Sequence, residues 1–228
     1  MKRDYLVFCS SNHGIVTPEL YGDERKFDVC IHDYGHWTDH DMGVVRRSEY
    51  YFPYPNREKL ETAAEIIPAL PSYKYYAFLD DDLTVTTDEL NRLFQVGDGL
   101  RLDLYQPALT RNSHSSWGHL LTQNLGHGLW NFNPVRSVEV VEIMCPFFSA
   151  KGLEACLPTF DINLSGWGLD CYMWPKRVAR HVIDTIPIGH YREPGRRQRK
   201  LRNGLTPYQE LWIMKKIHNP DDCSPPPV

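Results

Sequence analysis

The sequence has no apolar run near the roughly 18 residues of a membrane-spanning helix, since Asp, Pro or Gly interrupts each strand-like stretch within about eight positions. Its first apolar segment, YLVFC, starts at Tyr5 and passes directly into SSNHG, leaving no space for the three regions of a secretory signal; export by that route is not expected. No CxxC pair occurs among the six cysteines Cys9, Cys30, Cys145, Cys156, Cys171 and Cys223, and four of them fall within apolar segments. They read as reduced thiols acting as small hydrophobes in a cytoplasmic protein. Neither sign of charge dominates: 25 Lys+Arg stand against 29 Asp+Glu, a net charge of −4. That balance argues against a chain whose main work is to coat nucleic acid, and no nucleic-acid partner is expected. HExxH, Cys/His zinc spacing, the Walker lysine motif and the GxSxG elbow are all missing, which removes support for zinc hydrolysis and Ser-His-Asp catalysis. There is no internal repeat.

What is present is an ordinary globular composition, 228 residues with 42% hydrophobic and 24% charged, long enough to bury a sizeable core. Three early apolar runs each end in polar residues: YLVFCSSN at 5–12, FDVCIHDYG at 27–35 and YYAFLDDDL at 75–83. Nearly continuous, β-branched and aromatic, they predict parallel strands covered on both faces. Between the last two, NREKLETAAEIIPAL carries Leu60, Ala63, Ala64, Ile67 and Leu70 at helical spacing, with Asn56 placed to cap it, which predicts a βαβ crossover. TTDELNRLF predicts a short helix capped by Thr86 or Thr87. LYQPALT and VEVVEIM predict extended pieces of an antiparallel or mixed addition to the sheet. SAKGLEACLPTF and GLDCYMWPKRVA predict helices, the second broken at Pro175. HVIDTIPIGHY at 181–191 predicts a last buried strand, and PYQELWIMKKI a terminal helix begun by Pro207. The whole predicts an α/β fold in one domain over 1–220, with 221–228 as a Pro-rich tail. In such a sheet, ligands bind beyond the carboxyl ends of the strands. Ser10, Ser11, Asn12, His32, Asp33 and Asp80 to Asp82 all fall there.

The motif that demands an explanation is FLDDDLTV. Three adjacent carboxylates at the end of a buried strand repel one another and lose solvation unless a cation or donor groups compensate. Strand alternation predicts Asp80 and Asp82 on one side and Asp81 on the other. An acidic turn with Asp as helix cap is the plainer alternative. In GWGLD at 166–170 the glycines, Gly168 among them, permit close approach of backbone to a ligand, and Trp167 offers a flat face suited to a sugar ring. Asp170 reads either as a helix cap or as a general base kept ionised by the helix start, whose field also weakens its basicity. His190 closes PIGHY. A single His there is ordinarily a hydrogen-bonded core residue; joined to the Asp cluster, one imidazole with carboxylate and phosphate oxygens suits Mn²⁺ better than Mg²⁺.

Taken in order, FLDDDLTV, GWGLD and the late GH resemble a GT-A fold glycosyltransferase, Rossmann-like with a mixed, mostly parallel sheet flanked by helices. IMCPFFSA, SGWGLD and IDTIPIGHYR are similar to uncharacterised glycosyltransferase-like proteins of plants and microbes, the resemblance covering about residues 5–192. It implies a single GT-A-like domain with 1–103 as a nucleotide-binding half and 104–220 as an acceptor-binding half, and a metal-dependent enzyme that moves a sugar from a nucleotide-sugar, a UDP-sugar by expectation, to a glycan acceptor hydroxyl with inversion. It further implies Asp82 and His190 as ligands of Mn²⁺ (or Mg²⁺), Asp80 as a ribose or sugar contact with a share in the metal, and Asp170 as the base. DDD permits a second frame, in which Asp81 shares the metal or touches the donor. Asp33 is the counterpart of a uracil-binding acid, with Ser10 or Ser11 near the ribose.

Beyond these, Arg192 heads a basic loop that continues with Arg196, Arg197, Arg199, Lys200 and Arg202, within sequence reach of a diphosphate; a solvated charged loop is the plainer reading. Lys59 is a second phosphate candidate, with a solvated helical face as its alternative. His114, Trp117 and His119 are acceptor candidates, packing and loop hydrogen bonds being the alternative. Two other functions stay open on the sequence: a nucleotidyltransferase or phosphohydrolase using the same acidic metal site, and a non-catalytic sugar-binding module.

Overall fold

The computed structural model describes residues 2–12, 22, 24–35, 47–123, 134–191 and 199–221. Its sheet is built on the buried runs. Strands β1 (Tyr5–Ser11) and β2 (Phe27–Asp33) are buried along their whole length. β3 (Tyr50–Pro53) lies outside β2, and β4 (Tyr75–Asp80) lies on the other side of β1. All four run parallel, in a register that sets Ser10 beside Asp80 and Ser11 beside Asp33. The two-residue β5 (Leu83–Thr84) follows, then β6 (Leu104–Leu109), β7 (Val135–Ser137), β8 (Phe147–Ser149) and β9 (Arg180–His190). The order across the sheet is β3-β2-β1-β4-β8-β6-β9-β5, with β7 also on β9. β6 and β9 are parallel to each other, while β8 runs against both β4 and β6. The result is a nine-stranded, mostly parallel α/β sheet.

Side chains of β1 divide by alternation between two apolar layers. Tyr5, Val7 and Cys9 join one layer with Leu90, Leu93 and Phe94 of α2 (Thr87–Gly99). Leu6 and Phe8 join the other with Leu60, Ala63 and Ile66 of α1 (Lys59–Ile66), Leu153 and Cys156 of α3 (Ala150–Cys156), the fully buried Trp174, and Met214 of α4 (Pro207–His218). Helices thus cover both faces, as a period-2 split of an all-apolar strand requires. Thr86 and Thr206 cap α2 and α4 with reciprocal capping boxes. Among the described residues no helix is long and apolar enough to cross a membrane, and the five cysteines there are free. Cys223 and the tail from 222 onward lie outside the described residues.

Several local expectations are corrected. Asn56 does not cap α1: it sits at φ 62°, in the tight turn after β3, where its N–H reaches Tyr34 O, and α1 starts at Lys59 behind Glu58. VEVVEIM forms no strand; it lies between β7 and β8, and β8 is fixed by its pairing with β4 and β6. GLDCYMWPKRVA is a π-helical turn (Leu169–Met173) followed by a 3-10 turn (Trp174–Lys176) with Pro175 inside it, not an α-helix. α2 runs 13 residues, well past the short helix expected.

Candidate active site

β4 ends at Asp80, so strand alternation does not orient all three acids. Asp81 and Asp82 form a turn, and the three carboxylates fan apart. Asp80 Oδ1 lies 2.5 Å from Lys59 Nζ, which also donates to Ile143 O at 2.5 Å. Lys59 is 10% exposed at its side chain, so the solvated-face alternative is overturned: α1 is tied through it to the cluster. Burial raises the proton affinity of Asp80, Lys59 opposes this, and the charges of Asp82 and Asp81 add to it. Asp81 Oδ2 accepts the Asn12 N–H at 2.9 Å and the Tyr34 hydroxyl at 3.2 Å, joining the ends of β1 and β2.

Asp82 is delivered to His190 by sheet pairing. Leu83 of β5 stands opposite His190 of β9, which brings His190 Nε2 to 3.5 Å from Asp82 Oδ2. The other ring nitrogen, Nδ1, donates to His114 O at 2.7 Å, and the His190 N–H donates to Ser113 Oγ at 3.0 Å. With Nδ1 occupied by a carbonyl, Nε2 is the nitrogen presented to the acids, the arrangement that orients a metal-ligating imidazole. The hydrogen bond to Asp82 raises His190 to about 8, with burial opposing and the Asp82 and Asp80 charges assisting. Among the described residues, Asp80, Asp82 and His190 included, no group of three or more His, Cys, Asp or Glu is arranged to hold a metal ion. Asp82 and His190 form a partial donor set, suited to a cation that takes further oxygens from phosphate.

The GWGLD turn holds Asp170 at 7% exposure. Gly166 and Gly168 adopt φ 76° and 90°, left-handed values that exclude most side chains, and a Cβ on Gly168 would stand 3.0 Å from Met214 Cβ. Burial pushes Asp170 up to about 6, against hydrogen bonds from the Cys171 thiol and from backbone N–H groups of Cys171, Gly168 and Asp170 itself. Burial therefore outweighs the helix-start effect expected from the sequence, and the carboxylate is a stronger base than that effect allows. Glu210 of α4, 3% exposed, accepts the Leu164 and Ser165 N–H groups at 3.2 and 2.7 Å and so fastens the turn from behind.

The remaining candidates separate. Ser10 Oγ is 2.9 Å from His32 Nδ1, and Ser11 Oγ is buried without a partner among the described residues. His32 is fully buried, near Tyr54 O and Thr62 Oγ1, and burial lowers it to about 4, so it is a neutral strut. Asp33, 2% exposed, accepts the Gly35 N–H and the Tyr51 hydroxyl, each at 2.9 Å. Trp167 is half-buried, edge-on to Tyr208 with ring centroids 5.1 Å apart. Trp117 is 37% exposed beside His119, and His114 is exposed, its backbone N–H bonded to His190 O at 2.8 Å. Arg192, Arg196 and Arg197 lie outside the described residues; Arg199 and Arg202 pair with Glu58 and Glu61 at α1. The sequence reading missed Glu142, Glu210 and Gln106. Glu142 carries the one available signal, an acid embedded in the apolar run VEVVEIM.

This constellation lies at the carboxyl ends of β1, β2 and β4, with β9 closing it. A similar fold occurs in S. aureus TarS 1–349, which superposes with a TM-score of 0.50 at 12% identity over 82% of this chain and 59% of that one. TarS 1–349 in complex with UDP-GlcNAc superposes at 0.56, with 11% identity over 95% of this chain and 65% of that one. The fold is GT-A. As a GT-A chain it spans less than two thirds of the length of either structure. No family model matches it, and no curated protein matches its sequence.

Proposed function

We propose that the chain is a metal-dependent glycosyltransferase that moves a sugar from a nucleotide-sugar, a UDP-sugar, to a hydroxyl of a glycan acceptor with inversion. The observation that carries this reading is the meeting of Asp82 and His190, 3.5 Å apart beside Asp80, on a GT-A sheet. The UDP-GlcNAc complex of the structural neighbour supports a UDP-sugar as donor.

Asp82 and His190, with Asp80 adjacent, would hold a divalent cation, Mn²⁺ or Mg²⁺, whose charge offsets that developing on the departing diphosphate. Asp80, steadied by Lys59, would contact the donor's ribose or sugar. Asp170 accepts the proton of the acceptor hydroxyl as that oxygen attacks the anomeric carbon, and the bond to the diphosphate breaks on the opposite face. One displacement inverts the centre. A group titrating near 6 is ionised at neutral pH and retains useful basicity. Trp117 and Trp167 supply apolar faces for sugar rings on the acceptor side.

The test uses the purified chain with Mn²⁺ and a panel of nucleotide-sugars. Release of nucleoside diphosphate together with transferred sugar is expected, and Asp80→Asn combined with Asp82→Asn abolishes both. Turnover unchanged in that double variant defeats the site; pyrophosphate or inorganic phosphate as product defeats the reaction class.

A further inference from the structure

Arg136 of β7 and Asp184 of β9 form an ion pair that the proposed reaction does not use, with side chains 14% and 2% exposed. Asp184 lies where the pairing of β9 with β6 breaks: β6 passes from Pro107 to Leu109 while β9 passes from Ile183 to Ile188. Such an irregularity releases a side chain from the ladder's alternation and re-aims it. Asp184 Oδ2 accepts from Arg136 Nε, and its Oδ1 accepts from Arg136 Nη2 at 3.4 Å and from the Gln123 N–H at 3.0 Å. The rest of the guanidinium faces backbone. Nη1 donates to His119 O at 2.9 Å and Nη2 to Leu121 O at 3.4 Å.

Those carbonyls belong to the single 3-10 turn Gly118–Leu120 and to the residue that follows it. One such turn holds little shape by itself. Upstream, the same segment is tied to β9, where His114 O accepts from His190 Nδ1 and the His114 N–H donates to His190 O. Trp117, 37% exposed, lies between the two anchors. A buried ion pair is costly to desolvate, and an apolar pair in its place often serves stability as well. What an apolar pair does not supply is a planar fork of donors that engages a carboxylate and two carbonyls together. We propose that Arg136, aimed by Asp184, is a positioning residue for sugar recognition: it fixes the backbone of 119–121 and so sets the Trp117 ring against the acceptor glycan. The proposal rests on the reading of Trp117 as an acceptor contact. Lysine at 136 keeps the charge opposite Asp184, but its one nitrogen does not span the carboxylate and both carbonyls.

Two measurements on the full chain decide this, neither of which needs turnover. In amide hydrogen exchange, Arg136→Lys is expected to speed the Leu120, Leu121 and Thr122 amides by about tenfold while those of β1 and β4 keep the wild-type rate. On a glycan array, the sugars that bind the labelled wild type are expected to be lost in Arg136→Lys and in Trp117→Ala, with UDP binding by calorimetry unchanged in both. A merely structural role would not split glycan from nucleotide in this way. Should Arg136→Lys fail to fold, Arg136→Met combined with Asp184→Leu replaces the pair by apolar groups and is expected to show the same split. Unchanged exchange in 120–122, glycan binding retained in the variants, or a wild type that binds no glycan overturns the proposal. A wild type that binds glycan through this turn but transfers no sugar overturns the transferase reading and leaves the role of Arg136 supported.

Discussion

Replacing Glu210 with Ala removes the acceptor from which the turn that carries Asp170 hangs. Its carboxylate receives the N–H groups of Leu164 at 3.2 Å and Ser165 at 2.7 Å, and Asn203 Nδ2 at 2.7 Å. Hydrogen bonds to a charged group contribute roughly 1.5–3 kcal/mol each, and a buried donor left unmade costs about 1–3 kcal/mol. Asn203 is exposed and regains water, so its loss counts little. The two backbone donors of a partly buried turn remain, giving a cost of about 3 kcal/mol. For a chain of this size each kcal/mol lowers the melting midpoint by about 2–4 °C, so a drop of roughly 6–12 °C is expected by calorimetry. Glu210→Gln retains one acceptor oxygen and should lose about a third of that. On the proposed function, the displaced turn carries Asp170 with it, so kcat falls while the KM for the donor holds. A melting midpoint within about 2 °C of wild type would show that α4 does not support the turn.

Two further outcomes follow from the buried groups. His32 is held neutral at about 4, below its unfolded value of about 6.5, so its contribution to stability is complete above pH 6.5 and is lost as pH falls toward 4. The stability difference between wild type and His32→Gln, from urea melts, should therefore shrink by about 2 kcal/mol between pH 7.5 and pH 5; a constant difference would show that His32 titrates normally. Gly168→Ala forces a side chain into φ 90° against Met214 and should cost about 1–3 kcal/mol with a loss of turnover, whereas Gly204→Ala, at φ 81° in open space, should leave turnover intact. Equal turnover in the two glycine variants would remove the link between the turn's shape and Asp170.

The strands that present the site were legible because a buried parallel strand is apolar almost to its end and then abruptly polar. β1, β2, β4 and β9 all have this form, and DDD and GH sit at such breaks, whereas GWGLD lies in a turn between α3 and β9. β3 and β8 were not legible. YYFP and FFS are four and three residues long, below any period, and become strands only through β2, β4 and β6. The expected helix TTDELNRLF stopped short of QVGDG, which completes α2 although its two glycines are poor helix formers. In the fold, Gly97 is the place where the helix meets the Tyr105 ring, and a Cβ there would come within 2.2 Å of ring atoms. Glu142 and Glu210 were missed for a related reason: the partners that define them, Gln106, Ser116, Leu164 and Ser165, are distant in sequence. The separation of the acids was also hidden, because Asp82 takes its position from β5 pairing with β9 and not from the pleat of β4.

The reversed sense of β8 has an effect on how this protein can change. A strand that enters the sheet from the edge where its parallel neighbours finish must be preceded by residues lying along that edge. Pro146 and Met144 accordingly bond to Phe78 and Asp80, and Ile143 reaches Lys59. One inverted strand of three residues thereby turns an upstream connector into a wall beside the ends of the parallel strands. Insertions or exchanges in that connector can reshape this wall while β1, β2 and β4 keep their spacing.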